Sequence, residues 1–102
     1  MPSSPAASTT VDDATRVRQN PRTACRVYDG LAEVITLDDP IRQHRLSLVA
    51  TRIWQHLENP ATVAEVALRV VAEFEVDVAT ARADTRSFCE DMLARGMILV
   101  ES

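Results

Sequence analysis

The chain has 102 residues, 46% of them apolar and only 4% aromatic, and carries a net charge of -4. That length holds one small domain, with a core of Val, Leu, Ile and Ala rather than of aromatic rings. The acidic balance, reached with eleven Arg and no Lys, argues against sequence-independent nucleic-acid binding, which needs surplus cations to neutralise phosphates.

No run approaches the length of a membrane span, and the N-terminus lacks the apolar stretch of a secretion signal. The expected address is cytoplasmic. Cys25 and Cys89 stand far apart at no metal-binding spacing and are expected as buried thiols.

Residues 1–21 begin MPSSPAASTT and show no periodicity. They read as a flexible tail, with the domain over 22–102. Thr23 to Tyr28 is short and β-prone. Asp29-Gly30 follows, the strongest short hairpin signal, because a type I′ turn needs positive φ at both central residues. Leu31 to Leu37 is the second strand, Asp38-Asp39-Pro40 a turn, and His44 to Leu48 the third strand. The last strand of such a meander leaves an open edge.

The period then changes. Val49, Ile53, Trp54 and Leu57 fall on one helical face, and Asn59-Pro60 ends that helix near Glu58. Trp54 is expected in the core. Thr62 and Glu65 form a capping box opening a second helix, whose stripe is Val63, Val66, Ala67, Val70, Val71 and Phe74. Asp77 caps a third helix. Its buried side is expected to hold Val78, Ala81, Thr85, Phe88, Cys89, Met92 and Leu93, with Arg86–Glu90 and Asp91–Arg95 pairs outside. Gly96 suits a left-handed cap, and Met97 to Val100 a short extended end. The fold class is α+β: a three-stranded antiparallel sheet followed by three helices, similar to a winged helix-turn-helix.

No catalytic constellation is visible. His44 and His56 have no Cys, Asp or Glu at ligand spacing and read as surface residues, neither glycine lies in a phosphate-binding loop, and Ser47 has no base near it in sequence. The expectation is a non-enzyme without metal or cofactor.

The run from Arg45 to Ile98 resembles the PqqD family, the pyrroloquinoline-quinone biosynthesis protein D group. The resemblance rests on Leu46, Ala50, Ile53, Trp54, Leu57, Thr62, Val63, Glu65, Phe74, Val76, Asp77, Ala81, Asp84, Phe88, Leu93, Gly96 and Ile98. Ser47 stands where the family pattern has Asn, and Asn59-Pro60 where it has Asp-Gly.

This resemblance implies a peptide chaperone, or recognition element, for ribosomally synthesised and later modified peptides. Such a protein binds the precursor's leader and presents its core to a modifying enzyme, often a radical S-adenosylmethionine protein. In related domains the leader adds as a strand to the third strand and lies against the third helix. An open edge offering unpaired N–H and C=O groups agrees with that reading. The implied peptide-binding residues are His44, Arg45, Leu46, Ser47 and Leu48 on the strand, and Val78, Arg82, Thr85, Arg86 and Cys89 on the helix. Arg45, Arg82 and Arg86 are placed to pair with leader carboxylates. The chain is expected as a monomer or weak homodimer. The alternatives are a winged-helix DNA-binding domain, favoured by Arg82 and Arg86 and opposed by the net charge, and a structural module that dimerises through its strand edge.

Overall fold

The computed structural model of the chain describes residues 10–101. Its elements run β1 (Arg16–Gln19), β2 (Thr23–Tyr28), β3 (Leu31–Thr36), β4 (Gln43–Arg45), α1 (Leu48–His56), β5 (Ala61–Thr62), α2 (Val63–Phe74), α3 (Val78–Ala94) and β6 (Ile98–Val100). The hairpin forms where Asp29-Gly30 places it, with φ of 53° and 79° at the two residues. β2 and β3 pair from Thr23↔Thr36 to Tyr28↔Leu31, and β4 adds antiparallel to the far side of β3. The α+β expectation holds, with the sheet β2-β3-β4 preceding three helices.

A second sheet, β5-β1-β6, corrects the reading of the N-terminal stretch as a tail. Arg16–Gln19 lie in the stretch read as a tail, yet they form its central strand, with Val17 fully buried between Ala61 and Val100. Val11 is buried as well, and its N–H donates to a Glu90 carboxylate oxygen at 3.2 Å. RVRQ carries one apolar residue in four, too little alternation to announce a strand. Long-range pairing holds it there. Residues 1–9 of the expected tail lie outside the described residues. The extended end after Gly96 pairs as β6, Ile98 to Val100 meeting Gln19 to Val17. Asn20, between β1 and β2, is fastened to the turn between α3 and β6: its N–H donates to Met97 O at 3.0 Å and its Nδ2 to Gly96 O at 2.8 Å.

The helix signals work locally as their chemistry requires. Thr62 Oγ1 accepts from Glu65 N at 3.1 Å while Glu65 Oε1 accepts from Thr62 N at 2.8 Å, satisfying two of the orphan donors of α2. Asp77 accepts from Thr80 N at 2.6 Å, and Gly96 takes φ 75° beyond α3. Trp54 sits in the core at 2% exposure with Ile53, Leu57, Val66, Val70 and Met92. Cys89 is buried and uncharged, its thiol pushed up to about 12 mainly by desolvation. Two burial expectations and one surface pair fail. Val78 is 45% exposed, because α3 begins there and its first turn overhangs the core. Cys25 is exposed on β2, the sheet's edge strand, rather than buried. Arg86 and Glu90 turn to the N-terminal segment instead of to each other.

The third strand is also shorter than its apolar alternation suggests. It ends at Arg45, and Ser47 already caps α1, its Oγ accepting from Ala50 N at 3.2 Å. Leu48 therefore belongs to the first helical turn and is exposed. The strand-to-helix corner is held by Ala32 of β3. Its C=O accepts from Leu46 N at 2.8 Å, and its N–H donates to the buried Thr51 Oγ1 of α1 at 2.8 Å. Replacing Thr51 by Val keeps the shape and strands that buried N–H, so T51V is expected to lower the unfolding free energy by about 1–3 kcal/mol. For a domain of this size that is a drop of roughly 4 °C or more in Tm, read by thermal unfolding; an unchanged Tm would show that the bond does not hold the corner.

Candidate functional site

The open edge of β4 follows from its register on β3. Leu46 N donates to Ala32 O and Thr36 N to Arg42 O at 2.9 Å. His44 lies opposite Val34, midway between those pairs. Antiparallel strands alternate bonded and non-bonded pairs, so residues 42, 44 and 46 spend their backbone groups on β3. The N–H and C=O groups of Gln43 and Arg45 point the other way, along an edge that no described strand occupies. The side chains alternate too. Val34 is fully buried, which puts His44 on the inner face, while Gln43 and Arg45 lie on the outer face beside Ile35 and Glu33.

α3 forms a wall along this edge. His44 Nε2 stands 3.6 Å from Asp91 Oδ2 on α3, and Asp91 also accepts from Arg95 Nε at 3.1 Å. Beyond Ser47 a concavity of about 210 Å³ is lined by Val49, Ala50, Ile53 and Phe88, with Asp84 and Ser87 at its rim. At the other end a second one, of about 350 Å³, lies between Arg42, the Asp38–Pro40 turn and the Arg95–Gly96 end of α3. Arg42 to Ser47 spans about 17 Å at 3.3 Å per strand residue, and Asp84 to Arg95 spans about 17 Å at 1.5 Å per helical residue. Strand edge and helix wall thus match in length and run in opposite senses, with a pocket of mixed apolar and polar lining at one end of the furrow and mixed charge at the other.

Of the residues expected to bind peptide, His44, Arg45, Leu46 and Ser47 fall on or beside this edge. Their roles differ: Leu46 is core, Ser47 is the helix cap, and Arg45 is exposed. Leu48 is exposed on α1 rather than on a strand. The expected α3 residues lie at other helical phases than the face lining the furrow. Thr85 and Cys89 are fully buried. Arg82 pairs with Asp13, and Arg86 Nη2 lies 4.0 Å from the same carboxylate. At 3.6 residues per turn these arginines sit about 160° around the helix from the Asp84–Phe88–Asp91–Arg95 line. They are occupied by the N-terminal segment, and with them goes the feature that favoured α3 as a DNA recognition helix. Asp84, Ser87, Phe88 and Asp91 line the furrow and were not among the expected residues. The available signal was their shared i, i+3, i+4, i+7 face beside the core stripe, and Phe88, taken as core, is half-buried at its border. Among the described residues no group of three His, Cys, Asp or Glu could hold a metal ion. His56 meets Glu73 Oε1 at 3.1 Å, with Arg52 Nη2 at 2.8 Å from the same carboxylate; Arg52 foremost holds that carboxyl below its usual range.

The fold and the furrow define a small α+β domain with one strand edge open beside a helix. The family model for coenzyme PQQ synthesis protein D (PqqD) matches residues 23–98, and the chain belongs to that family. Two solved structures share the fold. One is TbiB1 in complex with the TbiA(beta) leader peptide, 21% identical, with 83% of this chain and 98% of that chain covered at a TM-score of 0.74. The other is lasso peptide synthetase B1 complexed with the leader peptide, 23% identical, covering 81% and 96% at a TM-score of 0.70. No curated protein matches the chain.

Burial, joined by Arg95 and opposed by Asp91, pulls the His44 imidazole below its ordinary 6.5. A depressed folded-state value means that the unfolded chain takes up the proton first. The neutral-His44 contribution is therefore complete above pH 6.5 and is lost as pH falls below it. Urea unfolding at pH 7.5 and 5.5 is expected to show a larger stability loss for the wild type than for His44→Gln. Equal losses would contradict the assignment.

Proposed function

We propose that this protein is a non-catalytic recognition element that takes up the leader segment of a ribosomally made precursor peptide by strand addition at β4 and presents the rest to a modifying enzyme. The observation that carries this reading is the pair of outward-facing backbone units at Gln43 and Arg45, set against a helix of matching length. An extended peptide gains main-chain hydrogen bonds from the first, and side-chain pockets from the second. Membership in the PqqD family, and the leader peptides named with the two structures that share the fold, support it. The contact set on this reading is Gln43, His44 and Arg45 with Ser47, Asp84, Ser87, Phe88 and Asp91; Arg82 and Arg86 serve the fold through Asp13.

The modifying enzyme is of the class that acts on leader-held peptides, a radical S-adenosylmethionine protein among the candidates, and the setting is the cytoplasm. Among the described residues no helix is long and apolar enough to cross a membrane. The free chain is taken as a monomer or a weak homodimer paired along the outer edge of β2. Light scattering on dilution distinguishes the two from a stable dimer.

Calorimetric titration with the leader segment of the precursor encoded beside this chain's gene tests the reading. Binding at micromolar Kd or tighter, about -8 kcal/mol, is expected. Arg45→Pro removes one outward N–H without touching the β3 ladder, a change that edge strands tolerate, and is expected to weaken binding by about tenfold or more. The Arg82→Glu, Arg86→Glu double variant is expected to bind as the wild type does. No binding by the folded wild-type chain would overturn the function.

A further inference from the structure

The outer face of the sheet carries a row of alternating charge that stops at the open edge. Arg26 of β2 lies opposite Glu33 of β3, which lies opposite Arg45 of β4. The three surround a concavity of about 340 Å³ with Tyr28, Asp29 and Leu31. Arg26 is already engaged, its guanidinium 5.0 Å from the centre of the Tyr28 ring. Arg45 is exposed and makes no ion pair with any described residue. The row therefore reads cation, anion, cation, and ends on an unpartnered cation. The next row along, Ala24–Ile35–Gln43, is uncharged, and the row between them, Cys25–Val34–His44, faces inward.

A strand added to β4 extends each row by one member. Every pairing within β2-β3-β4 is antiparallel, the arrangement with slightly better pairing per residue. Side chains directly opposite one another across such strands interact, opposite charges favourably and like charges unfavourably. We infer that this protein selects leaders with an acidic residue directly opposite Arg45, continuing the Arg26–Glu33–Arg45 row as its fourth member. The inference rests on strand addition at β4 and adds a reading frame to it. In the antiparallel sense the acidic residue comes first and points to the outer face. The next residue points into the furrow beside His44 and Asp91. The one after lies opposite Gln43 and is uncharged. The acidic side chain thus sits outside the furrow, where the α3 wall plays no part in choosing it.

The test uses a displayed library of random peptides, selected separately on the full wild-type chain and on Arg45→Glu, an exposed change that leaves the core untouched. Enriched peptides are then titrated against both proteins. Wild-type selections are expected to share an Asp or Glu at one position, and Arg45→Glu selections an Arg or Lys at that same position with the flanking preferences retained. The acidic peptides should lose about tenfold in affinity on Arg45→Glu, and their charge-reversed counterparts should recover it. A shared motif with no acidic position, or one indifferent to Arg45→Glu, would overturn the charge row while leaving peptide recognition standing. Failure to enrich any peptide on the wild-type chain would overturn recognition itself, and the charge row with it.

Discussion

The furrow depends on the two hydrogen bonds made by Ala32. One of them, to Leu46, ends the β3–β4 ladder; the other, to Thr51, fastens the first turn of α1 to the same residue. Since only Ser47 separates Leu46 from α1, these bonds fix where the strand stops and how the helix leaves it. They thereby set which backbone groups of β4 face the open edge and where Val49, Ala50 and Ile53 stand beside Phe88. A buried N–H left unmade would cost more than the bond itself contributes, so the corner admits little variation. Ser47 replaces the Asn of the family pattern, yet both are good helix caps; the side chain that changes keeps the same local task.

The sheet has two open edges, and their difference explains why β4 is the candidate site. On β2 the register leaves Thr23, Cys25 and Val27 pointing outward, since Arg22 O accepts from Leu37 N and bonded pairs alternate from there. That edge offers more backbone groups than β4 does. But the side chains from Ala24 to Tyr28 are all exposed, so a strand laid there would bury little besides its backbone. On β4 the same bonds come with a helix wall and a pocket that offers both apolar and polar side chains. Main-chain pairing supplies affinity on either edge; only at β4 is there side-chain surface to choose a sequence.

Much of this was legible in the chain, because the signals were local. Asp29-Gly30, the Thr62–Glu65 capping box, Asp77 and Gly96 each act within four residues, and each formed as its chemistry demands. β1 was illegible for the opposite reason: one valine in RVRQ says nothing until Ala61 and Val100 arrive from the far end of the chain to cover it. The strand half of the site was readable from alternation, although alternation ran three residues too far, to a Leu48 that the helix claims. On α3 the residues named from the sequence and those lining the furrow differ in helical phase. Arg82 and Arg86 attract notice as cations, but their position around the helix decides their partner, and Asp13 lies in a segment that no sequence pattern marked as folded.

The most direct test of strand addition is amide hydrogen exchange along β4, with and without the bound leader segment. In the free protein the N–H groups of Gln43 and Arg45 face solvent, while those of His44 and Leu46 are engaged by β3. With strand addition at β4, peptide binding slows exchange at Gln43 and Arg45 selectively, with His44 and Leu46 already protected before it. Protection that appears instead along β2, or on the Arg82–Arg86 side of α3 with Gln43 and Arg45 unchanged, would contradict it.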